Sequence, residues 1–154
     1  NHILDLYKAT LYRQTMFAEF EKETHKLREK GEVLTSDLLS NTYYNLVKKY
    51  FGPNVLCDDL IKYEWARIPH FYYNFYVYKY ATGISAASYI VDGILNNKEG
   101  ALENYIKFLK SGGSMYPLDE LKIAGVNLNS ESVILSAIKT FEKYLKEFKD
   151  IYNS

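Results

Sequence analysis

Apolar positions recur at helical spacing along most of this chain. Ile3, Leu6, Tyr7, Thr10, Leu11, Gln14, Phe17, Ala18 and Phe20 share one period, and Glu19, Glu21, Lys22, Glu23 and Lys26 occupy much of the other side. The pattern predicts a long helix from about His2 to Lys30, stopped at Gly31. His25 then falls among charges as a solvated side chain. Thr35-Ser36-Asp37 is a helix start, a small polar cap followed by an acid in the first turn. Leu38, Leu39, Tyr43, Leu46, Val47 and Tyr50 give the second helix its apolar face, and Gly52-Pro53 ends it near Phe51. After a loop over 52–58, Asp58-Asp59 can cap a short helix through Tyr63, Glu64 and Trp65.

Ile68-Pro69 breaks the chain and restarts it, with proline suited to a first helical turn. From His70 the spacing allows a helix with Tyr73, Val77 and Tyr80 on one stripe, Phe71, Phe75 and Tyr78 on another, and Tyr72 and Tyr76 on a third. Such a helix is buried nearly all round. Strand is the rival reading, because aromatic residues favour strands. Helix is preferred because the apolar pattern continues through Ala81, Ile84, Ala86, Ala87, Tyr89 and Ile90 to an end near Asn96-Asn97. Leu102, Tyr105, Ile106 and Leu109 face one side of the next element, which runs into the loop Ser111-Gly112-Gly113-Ser114. Pro117 starts a short helix that Gly125 ends. Asn129-Ser130 caps a last helix with Ile134, Leu135, Ile138, Phe141, Tyr144, Leu145 and Phe148 as its buried face. The fold class expected is all-α, a single multi-helix domain of about six or seven helices over 1–154.

Composition narrows the function. The 154 residues suffice for one domain with a real core, and nineteen basic residues cancel nineteen acidic ones. A neutral chain offers no electrostatic case for nucleic acid or an anionic membrane, and no apolar run is long enough to span a bilayer. Cys57 is the one cysteine. It excludes an internal disulfide and fits a reducing compartment, so a cytoplasmic location is expected, with Cys57 as a plain structural thiol. The chain begins with Asn1 and shows no signal-peptide pattern, and a helical pattern is already running at Ile3. The simplest expectation is a piece of something longer.

The candidate chemistry lies between His70 and Gly83. Seven of the ten residues from Phe71 to Tyr80 are aromatic. Each buried tyrosine brings a large ring and one O–H that needs a partner. An imidazole beside tyrosine hydroxyls can stabilise the oxyanion formed when a carbonyl is attacked. Tyrosine keeps its proton at neutral pH, so it serves as a donor and weak acid. On spacing alone the plainer reading also stands: packing aromatics whose hydroxyls find backbone carbonyls. No HExxH zinc motif, Ser-His-Asp set or Cys-His pair is evident, and the three histidines are widely spaced. The residues offer half a site, with stabilising groups and no nucleophile or metal ligands.

Several blocks together are specific. Arg13-Gln14-Thr15-Met16-Phe17-Ala18-Glu19-Phe20-Glu21, Tyr50-Phe51-Gly52, the run from Glu64-Trp65-Ala66-Arg67-Ile68-Pro69-His70 to Thr82-Gly83, Phe108-Leu109-Lys110-Ser111-Gly112-Gly113-Ser114 and Tyr116-Pro117 resemble the C-terminal part of oligoendopeptidase F, among the thimet-oligopeptidase-like zinc peptidases. The likeness covers essentially the whole chain in order.

The resemblance implies an all-α, two-lobed helical peptidase, of which this is a fragment, with a deep channel that admits short peptides. It implies zinc in the intact enzyme, held by an HExxH pair and a glutamate whose positions lie upstream of Asn1. Cleavage by this chain alone is therefore not expected. His70 matches the histidine that contacts the substrate backbone, and one of the following tyrosines should donate to the tetrahedral intermediate. Tyr80 is the first choice, with Tyr73, two helical turns earlier, on the same face; Tyr76 and Tyr78 are reserves. The expected catalytic residues are Tyr80 and His70, and the expected substrate-binding residues are His70, Tyr73, Tyr76 and Tyr80. The Ser111–Ser114 loop is expected to border the channel. The implied partners are short peptides and the missing N-terminal part of the enzyme, and the isolated piece should self-associate through exposed apolar surface. A non-catalytic helical peptide-binding or scaffold module is the alternative, and an inactive relative that kept the fold is a third.

Overall fold

The computed structural model describes residues 2–153, and no strand occurs among them. The described residues form seven α-helices: α1 (His2–Tyr7), α2 (Arg13–Glu29), α3 (Ser36–Phe51), α4 (Tyr78–Leu95), α5 (Ala101–Ser111), α6 (Pro117–Ile123) and α7 (Glu131–Tyr152). A π-helical segment, Lys8–Tyr12, separates α1 from α2, so the single helix expected from His2 is three successive segments. The chain forms two compact units, one over Lys8–Ala81 and one made of the described residues up to Tyr7 together with those from Thr82 onward.

In the first unit α2 and α3 present apolar faces at helical spacing. Met16, Phe17 and Phe20 from α2 meet Tyr43, Leu46 and Val47 from α3, and Ile68 and Val77 complete this core. The Phe20 and Tyr43 rings meet edge to face at 5.3 Å. Thr35 caps α3 by accepting from the Leu38 N–H at 3.2 Å, and Gly52, at a φ of 77°, ends the helix just before Pro53.

A buried polar hub ties the following segment to these helices. Asp58 caps a 3-10 helix, Asp59–Arg67, through the Leu60 N–H. That helix delivers Glu64 inward, where it accepts from Tyr43 Oη and Arg13 Nη2, each at 2.6 Å, and from Arg67 Nη2. Burial pushes the Glu64 carboxyl up, but the Tyr43 hydrogen bond and the two guanidinium groups outweigh it and hold it below the ordinary range. Trp65 Nε1 donates to Ser40 Oγ at 3.1 Å, a second tie to α3.

In the second unit Ala86, Val126 and Val133 form a small core, with Tyr89, Ile90, Leu121, Ala124 and Leu128 packed against it. The Tyr7 hydroxyl lies 2.6 Å from Ser88 Oγ, anchoring α1 to α4 within this unit. Ser130 caps α7 as expected, but the buried face is displaced. Val133 and Ala137, one turn apart, are the buried positions; Ile138, Phe141, Tyr144 and Leu145 are half-buried, and Ile134, Leu135 and Phe148 are exposed.

The largest departure from the sequence reading is at residues 70–77. No helix runs straight from His70. Pro69–Tyr72 is a 3-10 helix, residues 73–77 form turns, and α4 begins only at Tyr78. The segment is held by successive i to i+3 bonds: Tyr73 N to His70 O and Tyr76 N to Tyr73 O at 3.0 Å, and Lys79 N to Tyr76 O at 3.2 Å. Phe75 sits at a φ of 55°, a left-handed conformation that costs a phenylalanine roughly 1–3 kcal/mol and that no α-helix contains. The segment is not buried all round either. Val77 is fully buried, while Tyr72, Tyr73, Phe75, Tyr76 and Tyr78 are all exposed.

Candidate functional site

His70, Tyr73, Tyr76 and Tyr80 meet through a 3-10 turn and the turns that follow it, not along one face of a continuous helix. His70 Nε2 lies 3.1 Å from the Tyr80 hydroxyl. The His70 ring stacks on Tyr76 at 5.7 Å, and Tyr76 meets Tyr80 at 5.7 Å and a steep angle. Tyr73 extends the group, its ring centroid 6.3 Å from that of Tyr76. All four residues singled out from the sequence therefore form one cluster in the Lys8–Ala81 unit. Tyr73 and Tyr80 reach it by a folded-back loop rather than by helical phase.

Local structure explains each placement. Pro69 opens the 3-10 turn that carries His70, and fully buried Val77 pins the chain just before α4, whose first turn carries Tyr80. The rings around them stay accessible: Tyr73 is 68% exposed and Tyr76 38%. The hydrogen bond with Tyr76 raises the Tyr80 hydroxyl above the ordinary tyrosine value, with partial burial adding to the shift. Tyr80 thus holds its proton through neutral pH as a donor. The cluster offers hydroxyls, one imidazole and ring faces on an open surface, which suits a polar, partly apolar chain such as a peptide.

Two contributors were misplaced by the sequence reading. The charge pattern puts Glu21 on the solvated side of its helix, yet it is 5% exposed and its Oε1 accepts from the Phe75 N–H at 2.7 Å. Its position four residues after Phe17 and next to Phe20 was the available signal, because that spacing puts it on the apolar face. His25 is half-buried rather than solvated, and its ring lies 4.7 Å from that of Phe75. Nothing in the sequence pairs residues so far apart.

Comparison with known proteins places the chain. The model of the family described as "Peptidase family M3" matches residues 2–140. The chain belongs to peptidase family M3.

Two curated relatives in this family illustrate the likeness. Oligopeptidase PepF of Bacillus subtilis (strain 168) is 51% identical over 151 residues, 98% of this chain and 22% of the relative. An oligoendopeptidase F homolog of Borreliella burgdorferi is 54% identical over 144 residues, 94% of this chain and 24% of the relative. The crystal structure of oligoendopeptidase-F from Enterococcus faecium superposes with a TM-score of 0.96 at 50% identity, over 99% of this chain and 29% of that one. The chain thus spans about a quarter of the length of these family M3 relatives, and the oligoendopeptidase F likeness carried by the Glu64-to-Gly83 run is borne out. Among the described residues no three His, Cys, Asp or Glu side chains gather as a metal site. The residues present do not fit a zinc centre, and His70 faces tyrosines. No helix among them is long and apolar enough to cross a membrane.

Proposed function

We propose that this chain is one wall of the catalytic cleft of a zinc-dependent metalloendopeptidase that hydrolyses internal bonds of short oligopeptides. Residues 1–154 are then the C-terminal part of its catalytic domain, and the zinc ligands and the attacking group belong to polypeptide outside this chain. A cytoplasmic setting belongs to the same reading, and the free thiol of Cys57 in this chain accords with it.

The observation that carries this reading is the His70–Tyr80 contact at 3.1 Å, flanked by Tyr76 and Tyr73 on an open surface. His70 and the Tyr73 and Tyr76 rings bind and orient the peptide backbone. When the scissile carbonyl is attacked its oxygen gains charge, and a donor already in place stabilises it without reorganising. Tyr80 holds the proton for that bond, and the hydrogen bond with Tyr76 raises its hydroxyl further above the ordinary tyrosine value.

The test is Tyr80→Phe in the full-length enzyme that contains this chain. Turnover should fall by more than about tenfold with metal content unchanged, because one oxyanion donor contributes roughly 3 kcal/mol. Near-normal turnover would return the cluster to a non-catalytic peptide-binding wall.

A further inference from the structure

His70 and Tyr80 face each other across a turn whose i to i+3 bonds leave the Phe75 N–H to a partner outside the segment. Phe75 adopts a φ of 55° although its side chain is 53% exposed, so burial of the ring does not hold the conformation. The Phe75 backbone is instead held by Glu21, whose carboxylate accepts its N–H at 2.7 Å from the buried face of α2. The His25 ring, one turn further along α2, lies against the Phe75 ring at 4.7 Å. Glu21 and His25 also line an apolar cavity of about 230 Å³ together with Phe20, Trp65 and Phe71. A charged hydrogen bond in such apolar surroundings is stronger than one in water.

We propose that Glu21 is the positioning residue for the His70–Tyr80 pair, acting through the Phe75 turn; the inference rests on the catalytic reading above. Without its acceptor, Phe75 relaxes toward right-handed or extended backbone, the conformations open to a phenylalanine. That rotation moves Tyr76 off the His70 ring and changes the separation of His70 from Tyr80. Glu21 is buried and its carboxylate is engaged by the Phe75 N–H. Its effect falls on the geometry of the donors, and so on turnover more than on initial binding.

The experiment compares Glu21→Leu and Glu21→Gln in the full-length enzyme, measuring kcat and KM separately. Leucine removes the acceptor, and kcat should fall about tenfold or more while KM moves by less than about threefold. Glutamine keeps a carbonyl oxygen for the Phe75 N–H and should restore kcat to within about threefold of wild type. Normal kcat in Glu21→Leu, or a Glu21→Gln enzyme no better than Glu21→Leu, overturns the proposal.

Should leucine at position 21 prevent folding, the same turn is probed from the other side. Phe75→Val places a β-branched residue in a conformation it resists and should lose kcat, while Phe75→Asn tolerates it and should not. Equal kcat in those two variants overturns the proposal. Tyr80→Phe is measured alongside. If Tyr80→Phe is impaired and Glu21→Leu is normal, only the Glu21 role fails; if Tyr80→Phe is normal, the catalytic reading fails and this inference with it.

Discussion

The His70 imidazole meets the Tyr80 hydroxyl at 3.1 Å across ten residues of chain, and the two rings stand nearly perpendicular. Groups in such contact do not contribute independently. In the full-length enzyme His70→Ala and Tyr80→Phe should each lower kcat/KM, and the double variant should lose less than the product of the single losses. A shortfall of about 1 kcal/mol or more is expected for a directly bonded pair. Strict additivity in the steady-state kinetics would show that the two residues act separately.

Tyr76 tunes that pair. Its hydrogen bond is the main reason the Tyr80 hydroxyl lies above the ordinary tyrosine range. Tyr76→Phe removes the bond, so Tyr80 should ionise at lower pH. If Tyr80 is the donor, the alkaline limb of the pH profile of kcat/KM shifts downward in this variant. An unmoved limb in a pH titration of activity would separate Tyr80 ionisation from catalysis.

Glu64 should govern acid stability of the Lys8–Ala81 unit. Its carboxyl is held below the ordinary value because Tyr43, Arg13 and Arg67 outweigh the effect of burial. A depressed folded-state value means the stabilisation is fully present above about pH 4.3, the ordinary glutamate value, and is lost as pH falls through the folded value. Thermal unfolding should therefore drop on acidification, and less steeply in Glu64→Gln. Some slope should remain, because Lys49 depresses Glu19 in the same direction. At neutral pH, Glu64→Ala should cost roughly 1–3 kcal/mol by leaving the buried Tyr43 hydroxyl without its acceptor.

Exposed apolar surface predicts association of the 154-residue chain on its own. Leu56 is 98% exposed, Tyr116 82% and Tyr72 81%. Light scattering across a concentration series should show growth in mass. A monomer at the highest concentration would argue that these side chains do not drive contacts.

Most of the helices were legible before any coordinates. Thr35, Ser130 and Pro117 mark helix starts and Gly31, Gly52 and Gly125 mark ends because capping and left-handed termini are decided by neighbouring residues. The π-helical segment at Lys8–Tyr12 carries no such mark, because no cap or breaker residue accompanies the change of hydrogen-bond register. The displaced face of α7 has a similar origin. Val133 and Ala137 are its buried positions, and Val133 packs with Ala86 and Val126, a contact that the apolar spacing of one helix does not announce.

Residue identity singled out His70 and the tyrosine run after it, and the resemblance to oligoendopeptidase F narrowed that run to Tyr73, Tyr76 and Tyr80. Their arrangement depended on a residue far away along the chain. An aromatic run has no local reason to break at Phe75; the break is bearable because buried Glu21, on α2, accepts the Phe75 N–H at 2.7 Å. A hydrogen bond between residues so distant in sequence leaves no periodicity, cap or turn signal. Helix ends are local energies and can be read from neighbours, whereas the fold of the tyrosine loop is set by a tertiary contact that exists only once α2 is packed beside it.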